Sequence, residues 1–288
     1  MIPPRRLRER TASDAGPRAV TIAWGLPVVV VCCWLGGWLL AAGCAILAFA
    51  ALREFQRLGR SAGAAPELRW EAAVAAAALV AAARLSPEAF EAALPAAVAA
   101  VVLGGILRAA AGRPPDLRSA AATTAWTVLG ILYIPWLVGF LILLRQSAPA
   151  AEALPRTLAL LGLVWLGDVA AYAVGSRFGL HRLAEPISPG KSVEGATAGL
   201  VVAAIAGAAA SRLLGVPIAA GALAGAAVAG AGLAGDLWES MLKRAADVKD
   251  SGAAVPGHGG VLDRFDSLLL GAPAAYWLLA RIPWHLLR

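Results

Sequence analysis

Charged side chains are scarce in this sequence: they make up 15% of its 288 residues, against about 25% in a typical soluble domain. Histidine and cysteine are scarcer still, with three residues of each. No histidine or acid accompanies Cys32, Cys33 or Cys44, and no second histidine or cysteine stands at metal-ligand spacing from His258, so the sequence does not support a zinc site. We interpret the cysteines as small apolar packing residues, and the low charge excludes an ordinary soluble fold.

Long apolar runs fill the chain instead, since 60% of its residues are hydrophobic. Runs of about 20 apolar residues are long enough to cross a hydrocarbon core about 30 Å thick. The pattern predicts an all-α, polytopic integral membrane protein with about nine transmembrane helices. The predicted spans are 20–34, 36–54, 70–84, 88–108, 119–144, 156–176, 193–213, 217–238 and 264–284.

The basic residues indicate how those spans are oriented. With nine spans and a cytoplasmic N-terminus, 19 of the 25 basic residues fall on the cytoplasmic side and six on the other, as the positive-inside rule requires. The C-terminus then lies on the opposite side of the cell membrane. No cleavage site follows the arginine-rich start, so we expect an uncleaved first helix. We interpret the net charge of +7 as topology and contact with anionic lipid, not as nucleic-acid binding.

The chain divides into two regions by its motifs. Residues 1–150 form an N-terminal group of transmembrane helices that motifs specify poorly, and residues 151–288 form a C-terminal region with the polar clusters. The C-terminal run "GALAGAAVAGAGLAG", residues 221–235, lets helix backbones approach closely. We expect it to serve internal packing, with a homodimer contact as the alternative.

The most polar cluster spans residues 235–267. Asp236, Ser240 and Lys243 are spaced i, i+4, i+7, so they share a helix face, with Glu239 beside them. Asp263 and Asp266 share a second face at i, i+3 spacing, with Arg264 turned aside. Carboxylates that meet in one space suit a hard cation such as Mg²⁺, which also accepts phosphate oxygens.

A glycine-rich loop joins those two helices. It contains Lys249, Asp250 and His258, and Gly259 and Gly260 follow directly. Glycine permits close backbone approach, so successive N–H groups can surround phosphate oxygens. Carboxylates, lysines and such a loop are the parts that phosphoryl and nucleotidyl transfer require. A solvated loop that merely marks the cytoplasmic side is the alternative.

A second polar cluster, "ISPGKSVEG", spans residues 187–195. It resembles the end of a nucleotide-binding P-loop, but Glu185 stands where the first glycine belongs, so we reject that interpretation. We expect a loop that places Ser188, Lys191 and Ser192 at a helix N-terminus, where an anion is favoured. Asp168 stands alone in an apolar helix and needs a cationic partner. A structural ion pair and a ligand role both remain open for it.

The segment "SMLKRAADVKDSGAAVPGHGGVLDRFD", residues 240–266, resembles the signature of the phosphatidate cytidylyltransferases, also called CDP-diacylglycerol synthases. The segments around 165–179, 187–195 and 235–240 are similar to further parts of that family, and "REFQRLGR" (53–60) extends the likeness to the N-terminal region. Gly190 and Ser192 depart from the family, where many members have lysine and threonine. The positions that match the signature are Ser240, Lys243, Arg244, Lys249, Asp250, His258, Gly259, Gly260, Asp263, Arg264 and Asp266.

The resemblance implies a reaction in which CTP and phosphatidate give CDP-diacylglycerol and pyrophosphate, with Mg²⁺ and an active site facing the cytoplasm. Asp236, Asp263 and Asp266 would hold Mg²⁺, and a second cation is left open. Lys243 and His258 would complete the catalytic set, with His258 as a hydrogen-bonding residue. The expected substrate-binding residues are Asp168, Ser188, Lys191, Ser192, Ser240, Arg244, Lys249, Asp250, Gly259, Gly260 and Arg264.

Three other activities were weighed against this one. A transporter predicts acids scattered over several spans and two matching halves, whereas the acids here cluster near one end of the chain. A CDP-alcohol phosphatidyltransferase requires four aspartates in a different order, which this chain lacks. A cytidylyltransferase acting on another lipid phosphate, such as an ether lipid, is the closest alternative, because nothing in the sequence distinguishes acyl from ether chains.

Overall fold

The structure is a computed structural model that describes residues 25, 27–62, 64, 68–113, 116–252 and 259–284. Helices dominate it, and each predicted apolar span overlaps one of them. In chain order they are α1 (27–35), α2 (Gly37–Leu58), α3 (Arg69–Leu85), α4 (Pro87–Ala110), α5 (Leu117–Ile131), a π-helix (Leu132–Trp136), α6 (Leu137–Arg145), α7 (Ala150–Phe178), α8 (Val193–Leu214), α9 (Ile218–Ala245), α10 (Leu262–Tyr276) and a second π-helix (Trp277–Arg281).

Six helical stretches of the described chain are long and apolar enough to cross a membrane. These are α2, α4, the continuous stretch Leu117–Arg145, α7, α8 and α9. Of the other predicted spans, 20–34 lies partly outside the described residues, and 70–84 forms the 17-residue α3. The last span, 264–284, is divided between α10 and the π-helix that follows it. The count of nine therefore stays a prediction.

Two glycines mark the break between α1 and α2, which lie close together in sequence. Gly36 and Gly37 have φ angles of 63° and 56°, values that residues with a Cβ rarely adopt. Arg145 closes the break, because its side chain donates to Cys33 O at 2.7 Å and to Trp34 O at 2.9 Å. The end of α6 therefore lies at the same side of the helix bundle as the α1–α2 turn.

The prediction of an all-α chain is wrong for one short segment. Residues expected to form a loop form a two-stranded antiparallel hairpin, β1 (Arg182–Ala184) and β2 (Ser188–Ser192). Backbone hydrogen bonds form between the two segments, which a reading of side-chain periodicity does not reveal. Directly after β2, the Ser192 hydroxyl accepts a hydrogen bond from Gly195 N at 3.1 Å and caps α8. The hairpin thus holds Lys191 immediately before a helix N-terminus.

Glycine brings the C-terminal helices into close contact. A Cβ at Gly207 would overlap Gly221 O, and a Cβ at Gly225 would overlap Ala203 O, so α8 and α9 meet backbone to backbone. Gly167 and Gly199 similarly join α7 to α8. Small residues allow such approach where no water-driven force exists between helices. The small-residue run in α9 therefore serves internal packing, as expected.

Candidate active site

Three carboxylates from two helices meet at one end of the bundle. Asp236 and Glu239 lie one turn apart on α9, Asp266 lies on α10, and one oxygen of each falls within 4.8 Å of the other two. Gly235 allows this approach, because a Cβ there would overlap Asp266 O. Glu239 is fully buried and Asp266 is 8% exposed. The cluster therefore concentrates negative charge away from bulk water.

Lysines flank these acids on both sides. Lys243 Nζ lies 2.9 Å from Glu239 Oε2 and 2.6 Å from Asp263 Oδ1. Lys191, carried by the hairpin, forms an ion pair with Asp236 Oδ2. Buried acids need such partners, since an unpaired charge is expensive at low dielectric. The lysines stand where they can move from acid to phosphate when an anionic substrate binds.

Asp263 contacts the glycine-rich loop in addition to its ion pair with Lys243. Its Oδ2 accepts from Gly260 N at 2.7 Å and from Ser251 N at 3.0 Å, and the Ser251 hydroxyl lies 3.0 Å away. Gly259 has a φ of 83° and lies so close that a Cβ would crowd Asp263 Oδ2. The structure thus groups Asp236 and Asp266 with Glu239, while Asp263 faces Lys243 and the loop. A ligand role for Asp263 stays a prediction.

Glu54, from the N-terminal region, forms part of the same site. It is 2% exposed on α2, and its carboxylate accepts from Leu262 N at 2.9 Å and from Val261 N at 3.1 Å. Ser251 Oγ lies 3.1 Å from the same carboxylate. A Cβ at Gly252 or Gly260 would overlap it. Glu54 therefore caps the N-terminus of α10 and links both Ser251 and Val261 to α2.

The remaining predicted site residues surround this centre at different distances from it. The Ser240 hydroxyl donates to Asp236 Oδ1 at 3.4 Å, and Ser188 lies half-buried at the start of β2. Arg244 donates to Ile187 O and Val248 O, so it joins α9 to the hairpin. The predicted site residues that the structure leaves exposed are Asp168, Arg244, Lys249, Asp250 and Arg264. His258 lies outside the described residues.

Sequence reasoning missed two acids of this site. Glu239 was noted beside the α9 face but was not proposed as a ligand, although its i, i+3 spacing from Asp236 places it on a shared side of the helix. Glu54 stands in "REFQRLGR", whose likeness to the family was the available signal. Its partners lie about 200 positions further along the chain. No local pattern could have joined them.

Comparison with known proteins agrees with this geometry. Residues 17–282 match the model of the cytidylyltransferase family. The phosphatidate cytidylyltransferase of Synechocystis is 30% identical, and the match covers 91% of this chain and 95% of that protein. The enzyme of the same name from Bacillus subtilis is 44% identical over 41% of this chain and 45% of its own. That of Pseudomonas aeruginosa is 42% identical over 55% of this chain and 59% of its own.

A helical membrane protein with clustered acids, paired lysines and a glycine-rich loop at one end has the parts of a nucleotidyltransferase. The family model extends over nearly the whole chain, and one relative matches it almost from end to end. The chain belongs to the cytidylyltransferase family.

Proposed function

We propose that this protein is a phosphatidate cytidylyltransferase, which converts CTP and phosphatidate into CDP-diacylglycerol and pyrophosphate for phospholipid synthesis. The observation that carries the proposal is the meeting of Asp236, Glu239 and Asp266 beside Lys191 and Lys243. One substrate of this reaction cannot leave the bilayer and the other cannot enter it. A polar site at the end of a helix bundle serves both.

The acid cluster fits Mg²⁺ by its chemistry. All its donors are oxygens, which hard cations prefer. In addition, Glu239 Oε1 is buried and has no hydrogen-bond partner in the described part of the chain, an expensive arrangement without a ligand. Asp236, Glu239 and Asp266 would therefore hold the ion. When bound, Mg²⁺ supplies charge neutralisation and polarisation of the nucleotide phosphates.

The protein's own residues bind and orient the two substrates. The lipid phosphate attacks the α-phosphorus of CTP, and the bond to the β-phosphate oxygen breaks as pyrophosphate leaves. A phosphate monoester is already largely ionised near pH 7, since its second pKa is about 6, so a strong general base is unnecessary. Lys191 and Lys243 neutralise phosphate charge and His258 adds a hydrogen bond, while the N–H groups of Ser251 and Gly260 hold Asp263 beside Lys243. Transfer is direct, without a nucleotidyl-enzyme.

The proposed topology places this site at the cytoplasmic face, where CTP is found. Nine membrane crossings with a cytoplasmic N-terminus put the C-terminal end of α9, the loop and the start of α10 on that side. The charge pattern supports this, as does the position of Arg145 beside the α1–α2 turn at the other side of the bundle. The plasma or inner membrane of the cell is the proposed location, and a homodimer remains a prediction.

The decisive experiment is an assay of the purified protein in mixed micelles. CTP, Mg²⁺ and phosphatidate should release pyrophosphate and form CDP-diacylglycerol, whereas chelation of the metal should stop both and added Mg²⁺ should restore them. An ether-linked lipid phosphate should be tested in parallel, because it is the closest alternative substrate. Pyrophosphate release with the ether lipid alone would replace phosphatidate in the proposal. Release with neither lipid would refute it.

A further inference from the structure

An apolar groove lies among α1, α2, α6 and α10, with Ile134 contributed by the first π-helix. Its volume is about 230 Å³, and every residue that lines it is apolar, a glycine or a cysteine. All three cysteines of the chain, Cys32, Cys33 and Cys44, face this groove. The proposed reaction uses none of these residues, so the groove needs a different explanation.

The two long walls of the groove, on α2 and α10, each have one end next to an acid of the site. On α2 the wall ends at Ala51, one helical turn before Glu54. On α10 it begins at Phe265, directly before Asp266, and continues to Ala272. The hydrogen bonds from Val261 N and Leu262 N to the Glu54 carboxylate join the two walls at their polar end. The groove therefore continues the active site into the apolar part of the bundle.

The length of the groove matches one leaflet of a bilayer. Along α2 it extends from Leu40 to Ala51, and at about 1.5 Å per residue this is about 16 Å. The hydrocarbon core is about 30 Å thick, so one leaflet contributes about 15 Å. A lipid whose phosphate lies at the acid cluster would thus have a hydrocarbon chain of suitable direction and depth for the groove.

We propose that the groove binds one acyl chain of the lipid phosphate substrate and thereby positions the phosphate beside Asp236 and Lys243. This inference rests on the proposed function, which makes phosphatidate the substrate. The second acyl chain remains in the bilayer. Because Cys32, Cys33 and Leu40 line the part of the groove near the α1–α2 turn, the side chains there determine which chain lengths bind well.

Gly43 is the position at which to block the groove. A Cβ there would meet only Cys32 Sγ, at 3.7 Å, so a larger side chain extends into the groove without striking backbone. Gly43 lies eight residues from Ala51, about 12 Å along the helix, beyond the reach of a six-carbon acyl chain. Gly162 on α7 is the matched control, because it does not line the groove and a Cβ there meets nothing within 4 Å.

The test compares Gly43→Leu and Gly162→Leu on dipalmitoyl and dihexanoyl phosphatidate. Gly43→Leu should lower kcat/KM for the dipalmitoyl lipid about tenfold, because a chain that cannot enter the groove no longer holds the phosphate in position for reaction. The dihexanoyl lipid and the KM for CTP should change less than about twofold, as should every value for Gly162→Leu. Equal losses on both lipids, or no loss on the long one, would overturn the proposal. Failure of the proposed function would be separate, since wild type would then release no pyrophosphate.

A second measurement identifies the occupant directly. Phosphatidate with a photoreactive group in the middle of one acyl chain should label peptides from α1, α2 or α10 of the wild-type protein. Excess dipalmitoyl phosphatidate should suppress this labelling, whereas excess phosphatidylcholine should not. Suppression by both lipids alike would mean that bulk lipid fills the groove, and labelling confined to other helices would mean that the groove is not used.

Discussion

Helices of the C-terminal region touch through glycine, whereas those of the N-terminal region touch through aromatic rings. Gly207 meets Gly221, and Gly225 meets Ala203, so the backbones of α8 and α9 touch directly at these two points. In the other region Phe55 stacks on Trp126 at 4.8 Å between ring centroids, and Phe90 stacks on Trp136 at 3.9 Å. Backbone contact leaves little freedom to shift, while stacked rings can adjust by small rotations.

The difference follows from what each region does. The C-terminal region carries Asp236 and Glu239 on α9 and Lys191 on the hairpin, and the proposed reaction requires these groups to stay within a few ångströms of one another. The N-terminal helices provide most of the apolar groove and one buried acid, Glu54, whose carboxylate accepts hydrogen bonds from Val261 N and Leu262 N. The proposed function therefore assigns the chemistry to the C-terminal region and a supporting role to the N-terminal region. The predictions below test this division.

The largest effect should come from Asp263→Asn. Asp263 pairs with Lys243 and accepts from the N–H groups of Ser251 and Gly260, so the change releases both the lysine and the loop. Turnover should fall about 10³-fold, as when one preorganised electrostatic group is removed from an active site. Pyrophosphate release measures this, and size-exclusion chromatography in detergent checks that the protein remains folded.

Asp247→Asn is the matched control for that change. Asp247 is exposed and has a φ of 54°, a conformation that asparagine adopts readily. It removes the same charge just after the end of α9, the helix that carries Lys243, and should keep activity within about twofold of wild type. Near-normal turnover of Asp263→Asn would contradict the role assigned to Asp263.

Glu54→Gln tests whether the N-terminal region supports the site. In wild type the N–H groups of Val261 and Leu262 each donate to one oxygen of the Glu54 carboxylate. Glutamine keeps only one acceptor oxygen, so one of these N–H groups would face an NH₂ donor instead. Hydrogen bonds to a charged group contribute about 1.5–3 kcal/mol each, so turnover should fall about 10- to 100-fold. Hydrogen exchange in the peptide containing Val261 and Leu262 should become faster, while exchange in α8 stays unchanged.

Gln56→Ala provides the comparison on the same helix. Gln56 is half-buried on α2, two residues from Glu54, and lies outside the site. It should leave both turnover and loop exchange as in wild type. If Glu54→Gln matched Gln56→Ala in both measurements, the division of labour between the two regions would be wrong.

The sequence predicted which motif residues share a helix face, because these residues lie close together along the chain. Asp236, Ser240 and Lys243 share a face by helical periodicity alone, and the structure places Lys243 between acids of two helices. It could not predict that Asp263 pairs with Lys243, because this contact depends on how α9 and α10 pack against each other. Glu54 and the hairpin around Lys191 likewise depend on contacts between distant segments, which periodicity does not record.

Lys191→Gln should have a smaller effect than either acid. The lysine pairs with Asp236 from the hairpin, and its loss removes one charged contact to phosphate, worth about tenfold in the apparent affinity for one substrate. Separate titrations of CTP and phosphatidate identify which of the two substrates loses affinity. Arg182→Gln removes one charge from the same hairpin and should change neither titration. Equal changes in the two variants would indicate a general effect of charge, which added salt would reduce.

The smallest effect on activity should come from Gly225→Ala, which tests glycine packing itself. A Cβ at this position would overlap Ala203 O, so α8 and α9 must separate, which costs about 1–3 kcal/mol. Alanine recovers up to about 1 kcal/mol through its helix propensity, so Tm in detergent should fall by about 2–5 °C. Turnover should stay within about twofold, because Gly225 lies about 16 Å along α9 from Asp236.

Gly230→Ala is the control on the same helix: its Cβ would meet only Leu200 Cδ2 at 3.4 Å, so its Tm should be equal to or higher than that of wild type. Equal Tm values for the two variants would show that backbone contact between α8 and α9 does not set the stability of the C-terminal region.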